Sequence, residues 1–176
     1  ERMNIMLDIK DLYKENYIDK NITICGWVKN HRKQATMGFI DMFDGTILKS
    51  LQVVYDNNLS NFEDVTKIKI GSAIKVSGTL IKSPKENQEF ELALQEIELL
   101  GDCPENYPIQ PKRHSREFLR EQAYLRPRTN LFQAVFRVRS IAAHAIHTYF
   151  QERGYVYFHA PIITASDCEG AGEMFQ

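Results

Sequence analysis

No stretch of the sequence is apolar over the length that a membrane-spanning helix needs, which argues against a membrane protein. The first residues contain neither the apolar core of a secretion signal nor the arginine- and serine-rich pattern of a transit peptide. Cysteine is scarce, and Cys25, Cys103 and Cys168 lack the spacing of a zinc site or a disulfide framework. These absences predict a cytoplasmic protein with free thiols and no metal site.

A large net charge of either sign is also missing. The net charge of -1 argues against a protein whose whole surface binds nucleic acid. Residues 112–139 differ from this average, because they hold eight lysines and arginines against two glutamates. A solvated helix face and a surface for an anionic partner both explain this local surplus, so the two interpretations stay open.

Both ends of the sequence suggest a longer parent protein. The chain begins with Glu1 instead of methionine, which indicates that residues before it have been removed. It ends in a small, acidic, glycine-rich run after Ser166, where a domain is not expected to close. We therefore expect the chain to be the front part of something larger.

Alternating apolar and polar residues predict five β-strands. The predicted strands cover residues 22–33, 37–43, 48–55, 73–82 and 90–100. In the last strand the inward-facing residues change parity after Leu94 and before Ile97, which predicts a β-bulge near Gln95 and Glu96 with Leu99 facing inward beyond it.

Apolar residues at helical spacing predict a connecting helix over residues 57–68, between the third and fourth strands. This order is typical of a five-stranded OB-fold barrel, an all-β fold that binds single-stranded nucleic acid or oligosaccharide. Strand periodicity alone also allows an SH3-like barrel or a β-sandwich, and the position of the helix favours the OB fold. An amphipathic segment over residues 8–17 is expected to pack on the barrel edge.

Helical segments follow the predicted barrel. Three prolines within residues 104–111 predict a stiff linker. A short helix is expected over residues 115–124, and residues 126–128 stop it.

A long helix should begin after Thr129 or Asn130, with Gln133 in capping-box position if Asn130 is the cap. It should end at Gly154, and a short strand is expected over residues 154–163. The helix carries two adjacent apolar rows, which is more than one core contact needs, so we expect it to pack on its own domain and on a partner. The alternative is a central helix of one large core. The rows are Leu131, Val135, Val138, Ala142, Ala145 and Tyr149, and beside them Phe132, Phe136, Ile146 and Phe150.

Alternation along the second and third strands separates an inward face from an outward face. Ile40 lies on the inward face, whereas Phe39 and Asp41 lie outward, and Gln52 lies outward on the third strand. If these outward faces adjoin, Phe39 offers a ring for stacking and Gln52 offers a donor and an acceptor, which an unpaired base needs. From alternation alone, a Phe39 ring covered by Trp27, by the lead-in segment or by a loop is favoured.

Basic residues follow the first strand. Arg32 and Lys33 could neutralise phosphate, although strict alternation places Arg32 on the inward face unless the strand coils after Gly26. His31 is expected to be a surface residue.

Acidic and small residues cluster near the end of the sequence. Ser166, Asp167, Glu169 and Glu173 surround residues 170–172, where a ligand could approach the backbone and carboxylates could hold an ammonium group or a metal. Taken alone, this pattern is typical of a solvated turn.

Three stretches give the chain a specific resemblance: residues 25–28 together with 39–42, residues 124–130, and residues 166–175. On these the chain resembles the N-terminal portion of the asparaginyl-tRNA synthetases, class II enzymes of the subgroup that also contains the aspartyl and lysyl enzymes. Cys168 and Gly172 depart from the aspartate branch, which has proline and arginine at those places.

The resemblance implies three parts: an anticodon-binding OB domain over residues 1–103, a hinge over 104–128, and the start of an α+β catalytic domain over 129–176. That last part is the helix and strand of class II motif 1, which builds a dimer interface and includes Gly154 and Pro161.

The resemblance also assigns roles to single residues. It implies that Phe39 stacks on an anticodon base, that Gln52 reads the central uridine and that Arg32 contacts the same loop. Glu91, expected outward on the fifth strand, falls near the reader of the third base. At the other end, Glu169 would hold the ammonium group of the amino acid, with Ser166 close by.

The activity implied is ATP- and Mg2+-dependent activation of asparagine and its transfer to tRNA by a homodimer. Class II chemistry needs a Phe-Arg-x-Glu motif and a later glycine-rich motif, and residues 136–139 have Phe-Arg without the glutamate. We therefore expect no catalytic residue in this chain, no binding of ATP or Mg2+ by it, and no adenylate from it. The alternatives are a non-catalytic nucleic-acid-binding module and an aspartyl-tRNA synthetase.

Overall fold

The computed structural model of the chain describes residues 5–160. The chain divides into two compact units, Glu1–Val135 and Phe136–Gln176. The strands are β1 (Ile5–Met6), β2 (Asn21–Lys33), β3 (Met37–Phe43), β4 (Leu51–Asp56), β5 (Ala73–Lys82) and β6 (Phe90–Gly101). The helices are α1 (Phe62–Lys67), α2 (Arg116–Glu121) and α3 (Asn130–Gln151), with 3-10 helices at Ile9–Tyr13 and Arg126–Arg128.

The strands of the first unit close into a barrel. Their order is β1-β2-β3-β4-β6-β5, and β2 also pairs with β5. All neighbours are antiparallel except β1 with β2 and β4 with β6, which are parallel. Helix α1 lies between β4 and β5 in the chain, so the barrel is an OB fold. The predicted fold is therefore confirmed, and the alternatives of a sandwich and an SH3-like barrel are excluded.

Alternation along the strands fills the barrel interior with branched aliphatic side chains. Each such side chain contributes about 1.5–3 kcal/mol when it is fully buried. Ile9 and Leu12 from the first 3-10 helix are buried in the same core, so the lead-in segment packs on the barrel as predicted. The central members of the core are Ile22, Ile24, Val28, Ile40, Met42, Leu51, Val53, Ile74, Val76, Leu80 and Leu92.

A bulge in β6 explains its change of parity. Ser77 pairs with Glu96 and Gly78 pairs with Leu94, so Gln95 is the extra residue in the ladder between β5 and β6, as predicted. The expectation that Leu99 is buried is wrong, because its side chain is 48% exposed. The pairs between β4 and β6 end at Ala93, so the later part of β6 has only β5 beside it and extends past the barrel.

Beyond the barrel, the proline-rich linker and α2 belong to the first unit. Tyr107 in the proline-rich linker and Leu119 in α2 are buried. Ser115 caps α2, because its Oγ accepts a hydrogen bond from the backbone N–H of Phe118 at 3.1 Å. The domain boundaries at residues 103 and 128 stay predictions.

Thr129, not Asn130, caps α3. The Thr129 Oγ1 accepts from the backbone N–H of Phe132 at 3.4 Å, and its carbonyl accepts from the N–H of Gln133 at 2.9 Å. The capping box that would pair Asn130 with Gln133 is therefore wrong. The Asn130 side chain instead accepts a hydrogen bond from Lys29.

In the second unit, α3 ends where Gly154 adopts a left-handed φ of 82°. The N–H of Tyr155 then donates to the Phe150 carbonyl at 3.1 Å, which confirms the predicted glycine stop. No side chain of α3 is buried against the described part of the chain, and Val138 and Ile141 are 67% and 69% exposed. The two apolar rows are thus not the centre of a core within residues 5–160.

The strand predicted over residues 154–163 does not form where the structure describes it. Residues 155–160 have no strand pairing, because no described strand lies beside them to accept their backbone hydrogen bonds. Pro161, Ser166 and Glu169, to which sequence analysis gave roles, lie outside the described residues.

Candidate nucleic-acid interface

A β-bulge in β2 turns Arg32 outward. Val28 pairs with Met42 and Asn30 pairs with Asp41, so Lys29 is an extra residue on β2. One extra residue reverses the facing of every later side chain. Strict alternation is therefore wrong for Arg32, and the turn outward comes from the bulge at Lys29, not from coiling after Gly26.

Phe39 lies on the outer surface of the barrel, close to two cations. Arg32 is its partner in the β2–β3 ladder, with the guanidinium carbon 5.5 Å from the ring centre. The Lys85 ammonium lies 5.7 Å from the same centre. Trp27 contacts Phe43, not Phe39, so the alternative in which Trp27 covers Phe39 is wrong. The ring is half-buried, and both cations lie over it, so a base that stacks on the same face would take the place of a cation.

Gln52 connects Arg32 to Glu91. Arg32 Nη2 donates to Gln52 Oε1 at 2.9 Å, and Gln52 Nε2 donates to Glu91 Oε2 at 3.0 Å. The same Arg32 nitrogen lies 3.3 Å from Asp41 Oδ1. These bonds fix which end of the Gln52 amide is the donor and which is the acceptor, and each end has capacity for one more hydrogen bond.

Glu91 and Gln52 are more enclosed than alternation predicts. Both lie outside the barrel core, yet they are only 8% and 5% exposed. The parallel pairing of β4 with β6, with Val53 opposite Leu92, places the two side chains next to each other, and the Ser83 hydroxyl also donates to Glu91 at 3.5 Å. Glu91 thus lies outside the barrel core but is enclosed by its neighbours.

A polar cavity of about 300 Å³ opens beside Gln52. It is bounded by the first 3-10 helix, by the loop between β3 and β4 and by the loop between β5 and β6. Its position beside Asp41 and Gln52 extends the candidate interface to residues that strand alternation does not single out. The lining residues are Tyr13, Asp41, Lys49, Ser50, Gln52, Asn87, Gln88, Glu89 and Phe90.

His31 faces inward, so the expectation of a surface histidine is wrong. Its Nδ1 lies 2.9 Å from the Ile68 carbonyl oxygen and its Nε2 lies 2.7 Å from the Tyr55 hydroxyl. Because a carbonyl only accepts, Nδ1 carries the proton and Nε2 accepts from Tyr55. Burial lowers the pKa of His31, which keeps the ring neutral.

The basic residues of the segment 112–139 lie in different surroundings. Lys112, Arg113, Arg116 and Arg120 are exposed around α2, whereas Arg128 is packed between aromatic rings.

Among residues 5–160, no group of three or more histidine, cysteine or carboxylate side chains could hold a metal ion. No helix of that range is long and apolar enough to cross a membrane.

Two sequence families match the chain. The OB-fold nucleic acid binding domain family matches residues 22–100, and the family of class II tRNA synthetases (D, K and N) matches residues 115–176. The chain is 53% identical to the asparagine–tRNA ligase of Acholeplasma laidlawii over 173 residues, which are 97% of this chain and 37% of that protein. It is 50% identical to the Clostridium tetani asparagine–tRNA ligase, again over 97% of this chain and 37% of the relative. The chain thus spans little more than a third of these relatives.

Solved structures share the fold. The asparaginyl-tRNA synthetase of Pyrococcus horikoshii, complexed with asparaginyl-adenylate, superposes with a TM-score of 0.81 at 22% identity, over 96% of this chain and 39% of that one. A putative aspartyl-tRNA synthetase from Leishmania major superposes with a TM-score of 0.77 at 17% identity, over 92% of this chain and 35% of that one. At these identities the likeness establishes the fold alone.

Proposed function

We propose that this chain, which belongs to the class II tRNA synthetases of the aspartyl, lysyl and asparaginyl group, is the tRNA-reading portion of an asparagine–tRNA ligase. The whole enzyme would use ATP and Mg2+ to activate asparagine and would transfer it to tRNA in the cytoplasm. The proposal divides the chain into an anticodon-binding domain (1–103), a hinge (104–128) and the start of a catalytic domain (129–176).

The observation that carries the proposal is the arrangement of Phe39, Arg32 and Gln52 on one outer face of the barrel. An unpaired base can stack on the half-buried Phe39 ring, with a contribution of about 1–3 kcal/mol. The Gln52 amide beside it has a fixed donor and a fixed acceptor for a base edge, because Arg32 and Glu91 orient it. Arg32 and Lys85 supply positive charge next to the ring, where the RNA backbone would pass.

We assign these residues to the anticodon loop. Phe39 would stack on the central base and Gln52 would read its edge, with Arg32 contacting the same loop. Glu91 would serve the third base, and the support is its hydrogen bond to Gln52, which lines the polar cavity.

The remaining roles fall on the second unit. Helix α3 would form the dimer wall with Gly154 and Pro161, and the support is its two exposed apolar rows. Glu169 would hold the ammonium group of asparagine, with Ser166 beside it. The residues that hold ATP and Mg2+ are proposed to lie outside this chain.

Amino-acid-dependent exchange between ATP and pyrophosphate tests the proposal. A protein extended beyond Gln176 to the length of its relatives should catalyse exchange with asparagine and not with aspartate, and should charge a tRNA with an asparagine anticodon. The 176-residue chain alone should show no exchange but should still bind the anticodon stem-loop. Exchange with aspartate in place of asparagine would show that the protein is an aspartyl-tRNA synthetase instead. Stem-loop binding without exchange by the extended protein would instead mark a non-catalytic binding module.

A further inference from the structure

Arg128 in the second 3-10 helix lies between two aromatic rings. Its guanidinium carbon is 5.0 Å from the centre of the Trp27 ring and 5.8 Å from that of Tyr107. Its Nη1 is 3.3 Å from the Tyr107 hydroxyl and 3.4 Å from the Gly71 carbonyl oxygen. We call these four residues the Arg128 clamp, and it joins β2, the segment before β5, the linker and the end of the hinge.

The clamp is closely packed around Gly71. This residue has a φ of 90°, which disfavours any side chain. A Cβ placed there would lie 2.7 Å from Cys103 Sγ and 2.8 Å from the Tyr107 ring. Replacement of Gly71 would therefore displace the linker from the place where Arg128 binds it.

The clamp continues directly into the β2 bulge. The N–H of Gly71 donates to the Val28 carbonyl at 2.8 Å, and Val28 is the last regularly paired residue before Lys29. Lys29 itself donates through Nζ to Asn130 Oδ1 at 2.6 Å, at the first residue of α3. Residues 128–130 thus contact β2 at Trp27, just before the bulge, and at Lys29, the extra residue of the bulge that turns Arg32 outward.

We propose that Arg128 is a positioning residue that couples RNA binding at Phe39 and Arg32 to the start of the catalytic domain. The inference rests on the function proposed above. In it, Arg128 contacts neither RNA nor reacting atoms. It keeps the bulge and the beginning of α3 in one fixed arrangement, so that RNA bound at the barrel presents its acceptor end in a productive position.

Trp27 is the only tryptophan of the 176-residue chain, so its fluorescence reports directly on the clamp. In the wild-type chain, titration with the anticodon stem-loop should change the Trp27 emission. In Arg128→Ala this response should be lost, while the stem-loop Kd stays within about threefold, because Phe39, Arg32 and Gln52 are unchanged. Arg116→Ala, which removes an exposed arginine of α2, is the matched control and should behave as wild type.

Aminoacylation by the extended protein gives the second readout. Arg128→Ala should lower the kcat for charging whole tRNA by about tenfold or more, with asparagine-dependent pyrophosphate exchange within about twofold of wild type. Arg128→Lys keeps the charge but loses the planar donor fork. Its kcat for charging should therefore lie between those of wild type and Arg128→Ala.

Two results would overturn the coupling role. One is normal charging by Arg128→Ala together with a normal Trp27 response. The other is an equal loss of exchange and charging in both Arg128 variants, with a lowered melting temperature by circular dichroism, which is the signature of a structural residue only. If the wild-type extended protein shows no exchange with asparagine, the proposed function itself is wrong, whatever the Arg128 variants do.

Discussion

The side-chain nitrogen of Gln52 donates a hydrogen bond to Glu91 Oε2 at 3.0 Å, and both residues are buried. This bond and the bond from Arg32 leave the Gln52 amide only one orientation that satisfies both neighbours. A base that meets Gln52 therefore finds a donor and an acceptor already in place, and little side-chain entropy is lost on binding.

Glu91→Gln should reduce this preorganisation. The new amide can donate as well as accept, so only Arg32 still selects the orientation of the Gln52 amide. We expect stem-loop binding to weaken by about 1 kcal/mol and the preference for uridine over cytidine at the central anticodon position to fall. Binding titrations with both stem-loops measure this. Glu98→Gln, on the same strand but paired with Lys75 at the surface, is the control. An unchanged preference would remove Glu91 from base recognition.

Phe39→Ala removes the proposed stacking platform. We expect the stem-loop affinity to fall by about 1–3 kcal/mol, while Phe39→Tyr keeps the ring and stays near wild type. The Ala variant should retain its circular dichroism spectrum, because Ile40 and Met42 on the opposite face hold β3 in the core. Unchanged affinity in a folded Ala variant would make Phe39 a packing residue only.

Gly38→Ala should destabilise the barrel. A Cβ at Gly38 would overlap the Tyr55 ring, which is buried and is hydrogen-bonded to His31. Overpacking of this kind costs about 1–3 kcal/mol. Gly101→Ala is the control, because its Cβ would meet only the Ala73 side chain at 3.8 Å. Urea unfolding of both variants measures the difference. Equal stabilities would show that the start of β3 can shift to make room for the added methyl group.

Local sequence rules predicted the regular parts of this fold. The bounds of β3 and β5 and the bulge at Gln95 follow from alternation, because each depends on residues adjacent in one strand. The bulge at Lys29 left no comparable sign, since no glycine marks it and the residues after it are polar on both faces. Its position is set by pairing with β3 and β5 and by Asn130, which is 101 residues away.

The sequence predicted which residues belong to the candidate site better than it predicted the contacts between them. Alternation placed Phe39 and Gln52 on the outward faces of their strands. The basic run after the first strand offered Arg32, and the resemblance added Glu91. The burial of Gln52 against Glu91 depends on the parallel pairing of β4 with β6, which joins segments 39 residues apart and has no local signature. The inward turn of His31 depends on the Lys29 bulge in the same way.

That inward turn makes stability dependent on pH. The ordinary pKa of histidine is about 6.5, and burial lowers the pKa of His31 in the folded protein. The unfolded chain therefore binds a proton more readily than the folded chain does. The contribution of His31 to stability is complete above about pH 6.5 and is lost as the pH falls from there through its folded pKa. Acidification also removes the Nε2 lone pair that accepts from Tyr55.

His31→Gln separates this effect from the titration of other groups. The variant should be about 1 kcal/mol less stable than wild type at neutral pH, because the glutamine amide reproduces the bonds to Ile68 and Tyr55 only in part. Between about pH 7.5 and about pH 5.5 its free energy of unfolding should fall less than that of wild type, since the lowered pKa is gone. Urea unfolding at both pH values gives the two slopes. Parallel slopes for wild type and variant would mean that His31 is not held neutral in the folded protein.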